Sequence, residues 1–291
     1  MKYLAILFAG IICGSTAIIW MKISEVDYGL LAAYRSLFAA LILLPLAIRD
    51  FRRSAVNPLP YIRRAALPGL FLGLHFVTWI YGARLTLAAN ASLIANMMPL
   101  AMPFFLYAIV REVINRRELL GTVIAAAGLW HLAADSASLD SAYIRGDATC
   151  FISMIFVTGY LALGRANRDF PSIWTYLVPL YATAGIFALI TALPRITTLS
   201  AVSSLPREIA LIAALALIPT VFGHGMINFA MHKIRGQIVA VCALTQFIFS
   251  TILAYLTPSL REIPSPAFYG AAVLISIGVI VTIIKPAAKT E

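Results

Sequence analysis

A histidine and a tryptophan stand four residues apart in the apolar stretch LHFVTWIYGA, residues 74–83. On a helix the spacing i, i+4 places His75 and Trp79 on one face. An imidazole donates, accepts and titrates near neutral pH, while an indole offers a flat apolar wall and one N–H group. The pair therefore suits an aromatic ligand. The alternative for His75 is a hydrogen bond that ties two helices together.

The same spacing returns later in the chain, in His224 and Asn228. A shift of 149 residues superposes His75 on His224, and a shift of 150 superposes Glu112 on Glu262. These coincidences indicate an internal repeat in which each half brings a histidine to its middle. The recurrence favours a shared cavity over a packing role, so His75 is the best single candidate for a site residue.

Several other polar or adaptable side chains also lie inside apolar runs. Pro99 lacks the N–H group that would bond the carbonyl of residue 95, so a kink is predicted there. Asn96 could repair that broken hydrogen bonding or contact a ligand, and Met98 offers adaptable apolar surface. The predicted substrate-binding residues are His75, Trp79, Asn96, Met98, Tyr160, His224, Asn228 and Gln246.

The charged residues inside the apolar runs indicate whether the protein could use a proton gradient as an energy source. Arg35 is the only basic residue well inside a run. We expect it to extend toward the nearer membrane interface, and binding of a substrate carboxylate is the alternative. No Asp or Glu lies in the central part of a run, which favours uniport. Proton coupling through His75 or His224 stays open.

The amino-acid composition indicates the class of protein that carries these residues. Hydrophobic residues make up 62% of the 291 residues and charged residues 12%. Soluble domains average about 25% charged residues, so this composition indicates an integral membrane protein. Runs of about 17 to 25 apolar residues can cross a bilayer as helices. Ten such runs lie at 3–21, 28–48, 65–83, 86–110, 119–135, 147–164, 173–193, 209–230, 237–257 and 266–284.

Basic residues predict the orientation. With the N-terminus inside, fifteen Lys and Arg residues fall in cytoplasmic segments and six in the opposite loops. Because Lys and Arg accumulate on the cytoplasmic side, both termini are predicted to be cytoplasmic, in a bacterial inner membrane. The first run is expected to be a retained helix rather than a cleaved signal peptide. The net charge of +10 follows from these flanking cations, and nothing indicates nucleic acid as a partner.

The ten runs divide into two sets of five, residues 1–135 and 146–285. Since five is odd, the two halves must run in opposite directions across the membrane. The predicted fold class is therefore an all-α membrane protein of ten transmembrane helices, built as two inverted five-helix repeats. Secondary transporters commonly have this plan, with the substrate near the midplane between the repeats.

Five stretches of the sequence carry a resemblance to a known family, namely CGSTAIIWMK (13–22), YGARLTLAANASLIANMMPL (81–100), REVINRRELLGTVIAAAGL (111–129), GDATCFISMIFVTGYLALGR (146–165) and FYGAAVLISIGV (268–279). Through them the chain resembles the EamA-type branch of the drug/metabolite transporter superfamily, and most of all its bacterial exporters of aromatic amino acids. The resemblance implies two inverted five-helix EamA-like repeats. Cys13 stands where that family commonly has Trp, and Gln246 lies near a position where it commonly has Pro.

The predicted function is export of amino acids, aromatic ones as the resemblance implies, by alternating access and uniport. The alternative is a multidrug or other metabolite exporter of the same fold, with coupling to protons left open. A membrane enzyme is not predicted, because no catalytic motif is present. Neither cofactor nor metal is expected, since the three cysteines have no ligand-like spacing. The expected partners are a small-molecule substrate and the lipid bilayer, with the chain a monomer.

Overall fold

The computed structural model describes residues 1–136, 143–194 and 202–284. Over these residues the regular secondary structure is entirely helical. A π-helix, Ala216–His224, joins the tenth helix to the eleventh. The helices in chain order are α1 (Lys2–Ser15), α2 (Ala17–Ile23), α3 (Tyr28–Ser54), α4 (Pro58–Arg84), α5 (Ala88–Ala95), α6 (Met98–Val110), α7 (Arg116–Ser136), α8 (Ile144–Ala166), α9 (Ile173–Ala192), α10 (Leu205–Leu215), α11 (Gly225–Lys233), α12 (Gly236–Ala243), α13 (Gln246–Leu256) and α14 (Pro266–Ile283).

Within the described ranges, nine helical segments are long and apolar enough to cross a membrane. They coincide with nine of the ten predicted runs, and the chain is a multi-pass membrane protein. The remaining run, the fifth, predicted at 119–135, is helical as α7 but is not among the nine. The arrangement of ten helices in two inverted repeats, 1–135 and 146–285, therefore stays a prediction.

The ends of the helices follow capping residues rather than hydropathy. The second run, predicted to end at 48, continues as a helix to Ser54. The third run, predicted to begin at 65, begins at Pro58, where the side chain of Asn57 accepts a hydrogen bond from Leu59 N at 3.0 Å. Proline is favoured in the first turn and Asn at the N-cap. Polar turns therefore extend both helices beyond their apolar cores.

Four of the apolar segments are interrupted, the first of them at Thr16, between α1 and α2. The fourth predicted run breaks between Ala95 and Met98, immediately before Pro99, as the kink prediction required. The ninth breaks between Ala243 and Gln246, where a proline is absent. The eighth contains the π-helix, which ends at His224. Discontinuous helices leave backbone N–H and C=O groups outside the regular helical hydrogen bonding. The breaks in the fourth, eighth and ninth runs lie at about the same level of the molecule.

Helices from the first half of the chain pack against helices from the second half. The most extensive contacts join α3 to α9, α7 to α14, and α4 to both α8 and α9, while α1 packs on the π-helix. Large apolar side chains such as Phe104 and Trp130 lie on the outer surface. A soluble protein rarely exposes so many, whereas a lipid-facing surface requires them. The polar side chains are instead gathered between the helices.

Candidate functional site

An internal cavity of about 30 Å³ lies at the level of the helix breaks. It is enclosed by helices from both halves of the chain. Its apolar wall consists of Ala95, Val157, Leu161, Ile227 and Ala243. Seven of the eight predicted site residues also line it, namely His75, Trp79, Asn96, Met98, Tyr160, His224 and Gln246. The structure thus brings together side chains that are up to 171 positions apart in the sequence, His75 and Gln246 being the outermost pair.

His75 is both a cavity residue and an interhelix hydrogen-bonding residue. Its Nδ1 lies 2.7 Å from Ser153 Oγ and 3.1 Å from Ser153 O, on α8. Its ring stacks on Trp79, with ring centroids 5.6 Å apart and planes 13° apart. The packing role weighed from the sequence is therefore present in a ring that also lines the cavity, and its contact with a ligand stays a prediction. The contact with Ser153 fixes the ring orientation, and Nε2 lies outside that contact.

His224 is held in a matching way by a tyrosine of the same neighbouring helix. Its Nδ1 lies 2.7 Å from Tyr160 Oη. Asn228 donates through Nδ2 to His224 O at 2.8 Å and to Tyr160 Oη at 3.4 Å. Asn228 does not line the cavity, so the structure places it behind Tyr160, where it supports the phenol. Its Oδ1 is buried without a hydrogen-bond partner.

The two histidines that the repeat comparison paired lie side by side. Their ring centroids are 6.1 Å apart, with an interplanar angle of 61°. Phe76 packs edge-on against His224, with ring centroids 5.1 Å apart. Each imidazole is thus anchored on α8 by a hydroxyl group, through Ser153 for one ring and Tyr160 for the other.

The amides and the indole complete the polar lining. Asn96 donates to Ser92 O at 2.8 Å, which repairs the helix at its break while the residue also faces the cavity. The Trp79 indole nitrogen is buried and has no hydrogen-bond partner among the described residues. An unpaired buried donor is unfavourable by about 1–3 kcal/mol. It is therefore a group that a bound ligand would satisfy.

Arg35 does not extend to the membrane interface, so that expectation is wrong. Its side chain is fully buried, with Nε donating to Thr220 Oγ1 at 3.0 Å. Its guanidinium carbon lies 3.9 Å from the centroid of the Phe76 ring. The hydroxyl group and the aromatic face together hold the guanidinium between helices, where it cannot reach water.

Sequence reasoning missed Ser153 and Thr220, which position His75 and Arg35. Small hydroxyl residues are common in membrane helices and carry no distinguishing spacing. Phe247, although next to Gln246, packs on Phe268 with ring centroids 5.3 Å apart and lies outside the cavity. Over the described residues, no group of three or more His, Cys, Asp or Glu could hold a metal ion.

Comparisons with known proteins agree with the helical fold. Residues 1–133 match the EamA-like transporter family. No curated protein matches the chain significantly. A crystal structure, described only as that of a protein, matches with a TM-score of 0.73 and 18% identity, covering 97% of this chain and 98% of its own chain. That likeness concerns the fold alone, and it extends over both halves of the chain.

Proposed function

We propose that the chain is a secondary transporter that exports amino acids, aromatic ones in particular, across the bacterial inner membrane by alternating access and uniport. The observation that carries the proposal is a cavity of neutral hydrogen-bonding groups, formed by both halves of the chain at the level of the helix breaks. The match of residues 1–133 to a transporter family supports transport as the activity.

The lining favours a zwitterion with an aromatic side chain. Imidazole, phenol and amide groups both donate and accept hydrogen bonds and the indole donates, so together they can bind an ammonium and a carboxylate without a buried countercharge. The stacked rings of His75 and Trp79 provide a flat surface for an aromatic ring. The residues that line the cavity include neither Asp nor Glu. A cationic drug would require such an acid, which makes the multidrug alternative less favourable.

Alternating access fits the size of the cavity. About 30 Å³ is the space of roughly one water molecule, whereas ligand pockets measure about 300–1,000 Å³. The cavity must therefore enlarge and open to one side before a substrate enters. The paired breaks at Ala95–Met98 and Ala243–Gln246 are places where half-helices can move without loss of regular hydrogen bonds.

A substrate screen on the purified protein tests the proposal. Thermal-shift and counterflow measurements would compare the amino acids with a panel of cationic drugs. We expect a selective response to Phe, Tyr and Trp. A response to cations alone would overturn the substrate class, and absence of any flux after reconstitution would overturn transport itself.

A further inference from the structure

Arg35 is a buried cation for which no carboxylate partner is present among the described residues. A guanidinium carries five N–H donors. Here Nε bonds Thr220 Oγ1 at 3.0 Å, Nη1 faces Met21 Sδ at 3.8 Å, and Nη2 is buried without a partner. Charged groups inside a membrane protein normally pair with one another or mark a substrate pathway. The contacts of Arg35 leave its charge uncompensated.

The guanidinium lies one aromatic ring away from the cavity. The Phe76 ring, 3.9 Å from the Arg35 guanidinium carbon, also contacts the His224 ring, which lines the cavity. Thr220 belongs to the π-helix that ends at His224, and its carbonyl accepts a hydrogen bond from Tyr181 Oη at 2.9 Å. The Phe76 ring therefore separates Arg35 from the cavity, and its displacement would expose the guanidinium to an enlarged cavity.

We propose that Arg35 binds the carboxylate of the transported substrate when the cavity opens, through the Nη2 group that is unpaired in the closed state. This inference rests on the proposed function and specifies it: the required feature of a substrate is its carboxylate, and the ammonium group is secondary. Guanidinium binds carboxylate in a planar, two-point geometry that the neutral lining groups do not offer.

Competition by half-substrates tests the inference. We would measure the inhibition of phenylalanine counterflow by 3-phenylpropanoate, which keeps the carboxylate, and by phenethylamine, which keeps only the ammonium group. We expect 3-phenylpropanoate to inhibit and phenethylamine to fail. Inhibition by phenethylamine that equals or exceeds that by 3-phenylpropanoate would overturn the inference while leaving amino-acid transport intact. A wild-type protein that responds to no amino acid would instead overturn the proposed function.

Substitutions at Arg35 and Thr220 distinguish a role of Arg35 in substrate binding from a role in holding the helices together. We expect Arg35→Gln to weaken binding of phenylalanine and 3-phenylpropanoate by about 10- to 100-fold, because hydrogen bonds to charged groups are the strong ones. Arg35→Lys, which keeps the charge, should retain part of the binding. Thr220→Val removes the hydroxyl group that accepts from Arg35 Nε and donates to Leu215 O at 2.7 Å but leaves the guanidinium in place, so it is the control. If Thr220→Val and folded Arg35→Gln weaken binding of both half-substrates equally, Arg35 is a structural residue only.

A second, independent feature is a pair of matching glutamate clusters. Glu112 follows α6 and pairs with Arg165 at 3.0 Å, while its other carboxylate oxygen accepts a hydrogen bond from Gly236 N at 3.0 Å. Gly236 is the first residue of α12. Arg165 also donates to Met231 O at 3.0 Å. We call this set the Glu112 latch.

The other cluster repeats each of these contacts with the halves exchanged. Glu262 follows α13 and pairs with Lys22 at 2.8 Å, while its other oxygen accepts from Ala88 N at 2.6 Å. Ala88 is the first residue of α5. Lys22 also donates to Thr86 O at 2.8 Å. This set is the Glu262 latch.

The two latches lie at opposite ends of the same pair of helical segments. Residues 88–110 begin at the Glu262 latch and end at the Glu112 latch, about 30 Å away at 1.5 Å per residue. Residues 236–256 run between the latches in the reverse direction. In each latch a carboxylate of one half binds a helix N-terminus and a basic residue of the other half. Negative charge is favourable at a helix N-terminus, so each latch holds the halves together at one face.

We infer that the Glu112 and Glu262 latches are the two gates of the transport cycle, of which one opens at a time. Both are closed here, in agreement with the small cavity. Opening a face separates the helix N-terminus of one half from the carboxylate of the other. Loss of one carboxylate must therefore bias the protein toward opening at that face, and loss of the other must bias it in the opposite sense.

Thiol accessibility from each side of the membrane tests the gates. A single cysteine at the cavity position Ala243, in a chain free of Cys13, Cys150 and Cys242, would be labelled by an impermeant reagent in oriented vesicles. We expect Glu112→Gln to raise labelling several-fold from the face that carries residue 112, and Glu262→Gln to raise it from the other face. Asp50→Asn, which removes a carboxylate that interacts with Arg49 and Ser172 and belongs to neither latch, is the control and should leave labelling unchanged.

A second pair of variants distinguishes the opening of a latch from misfolding caused by a single substitution. Arg165→Gln and Lys22→Gln remove the basic partner of each latch and should give the same two opposite changes with smaller amplitude. If all folded variants raise labelling from the same face, or none changes it, the latches are structural contacts and the inference is wrong.

Discussion

The imidazole rings of His75 and His224 lie 6.1 Å apart, between helices from opposite halves of the chain. Each ring is fixed through Nδ1, one by Ser153 and the other by Tyr160, and both anchors lie on α8. Because the anchors rise from one helix, the two rings have a defined separation. A ligand that enlarges the cavity meets two oriented hydrogen-bonding groups rather than two mobile side chains.

Substitution of His75 or Trp79 by Ala should abolish transport while the protein remains expressed. The first change removes a ring nitrogen and the second an aromatic wall with an unpaired N–H group. A hydrogen bond of about 1–3 kcal/mol corresponds to a loss of counterflow of about 5- to 150-fold. Thermal unfolding in detergent would check that the variants are folded. Normal transport by both would remove the proposed site.

Tyr160→Phe should lower stability, whereas Tyr176→Phe should not. The Tyr160 hydroxyl bonds His224 Nδ1 at 2.7 Å, and its loss leaves a buried imidazole nitrogen unpaired. We expect destabilisation of about 1–3 kcal/mol. The Tyr176 hydroxyl is also buried but has no partner among the described residues, so its removal should be neutral. Equal melting temperatures of the two variants would contradict the role given to Tyr160.

An imposed pH gradient should not accelerate transport in proteoliposomes. The described residues that line the cavity carry histidine as their only group that titrates near neutral pH. Each of these imidazoles is engaged through Nδ1, with His75 buried and His224 half-buried, and no carboxylate lines the cavity to carry a proton. Uptake of a labelled aromatic amino acid with and without the gradient is the measurement. Strong stimulation by the gradient would replace uniport with proton coupling.

Alanine at Gly223 should disrupt the contact between α1 and the π-helix, whereas alanine at Gly225 should be tolerated. A Cβ at Gly223 would lie 2.9 Å from Gly14 N, a backbone atom that cannot move aside, and one at Gly225 would have its nearest neighbour, Leu177 Cδ1, at 3.5 Å. We expect Gly223→Ala to destabilise by about 1–3 kcal/mol. Melting temperatures of the two variants would show the difference, and a tolerated Gly223→Ala would mean that these helices separate easily.

Hydropathy located the membrane helices because lipid demands long apolar runs, but it did not locate their ends. The Asn57 cap and Pro58 begin α4 seven residues before the predicted start at 65. A cap is a local hydrogen bond between polar groups, so an apolar run does not reveal it. The break before Pro99 was predictable from the missing N–H group, whereas the break before Gln246 has no proline to mark it.

The cavity residues were predictable because polar atoms in a membrane helix must face protein, water or a ligand. Their partners were not predictable. Ser153 lies 78 positions from His75, and a lone serine in a helix does not indicate which neighbour it will meet. Arg35 illustrates the same limit: its sequence position near a helix start suggested the interface, but the Phe76 ring and Thr220 hold it inside.

The simultaneous closure of the Glu112 and Glu262 latches has a bioenergetic consequence. A carrier that passes directly from one open state to the other can form a continuous file of water molecules across the membrane. Protons that move along this file would dissipate the membrane potential. A step in which both ends are sealed around a space of roughly one water molecule interrupts that file. In the proposed transport cycle, the substrate would leave the cell while the membrane remains an electrical insulator.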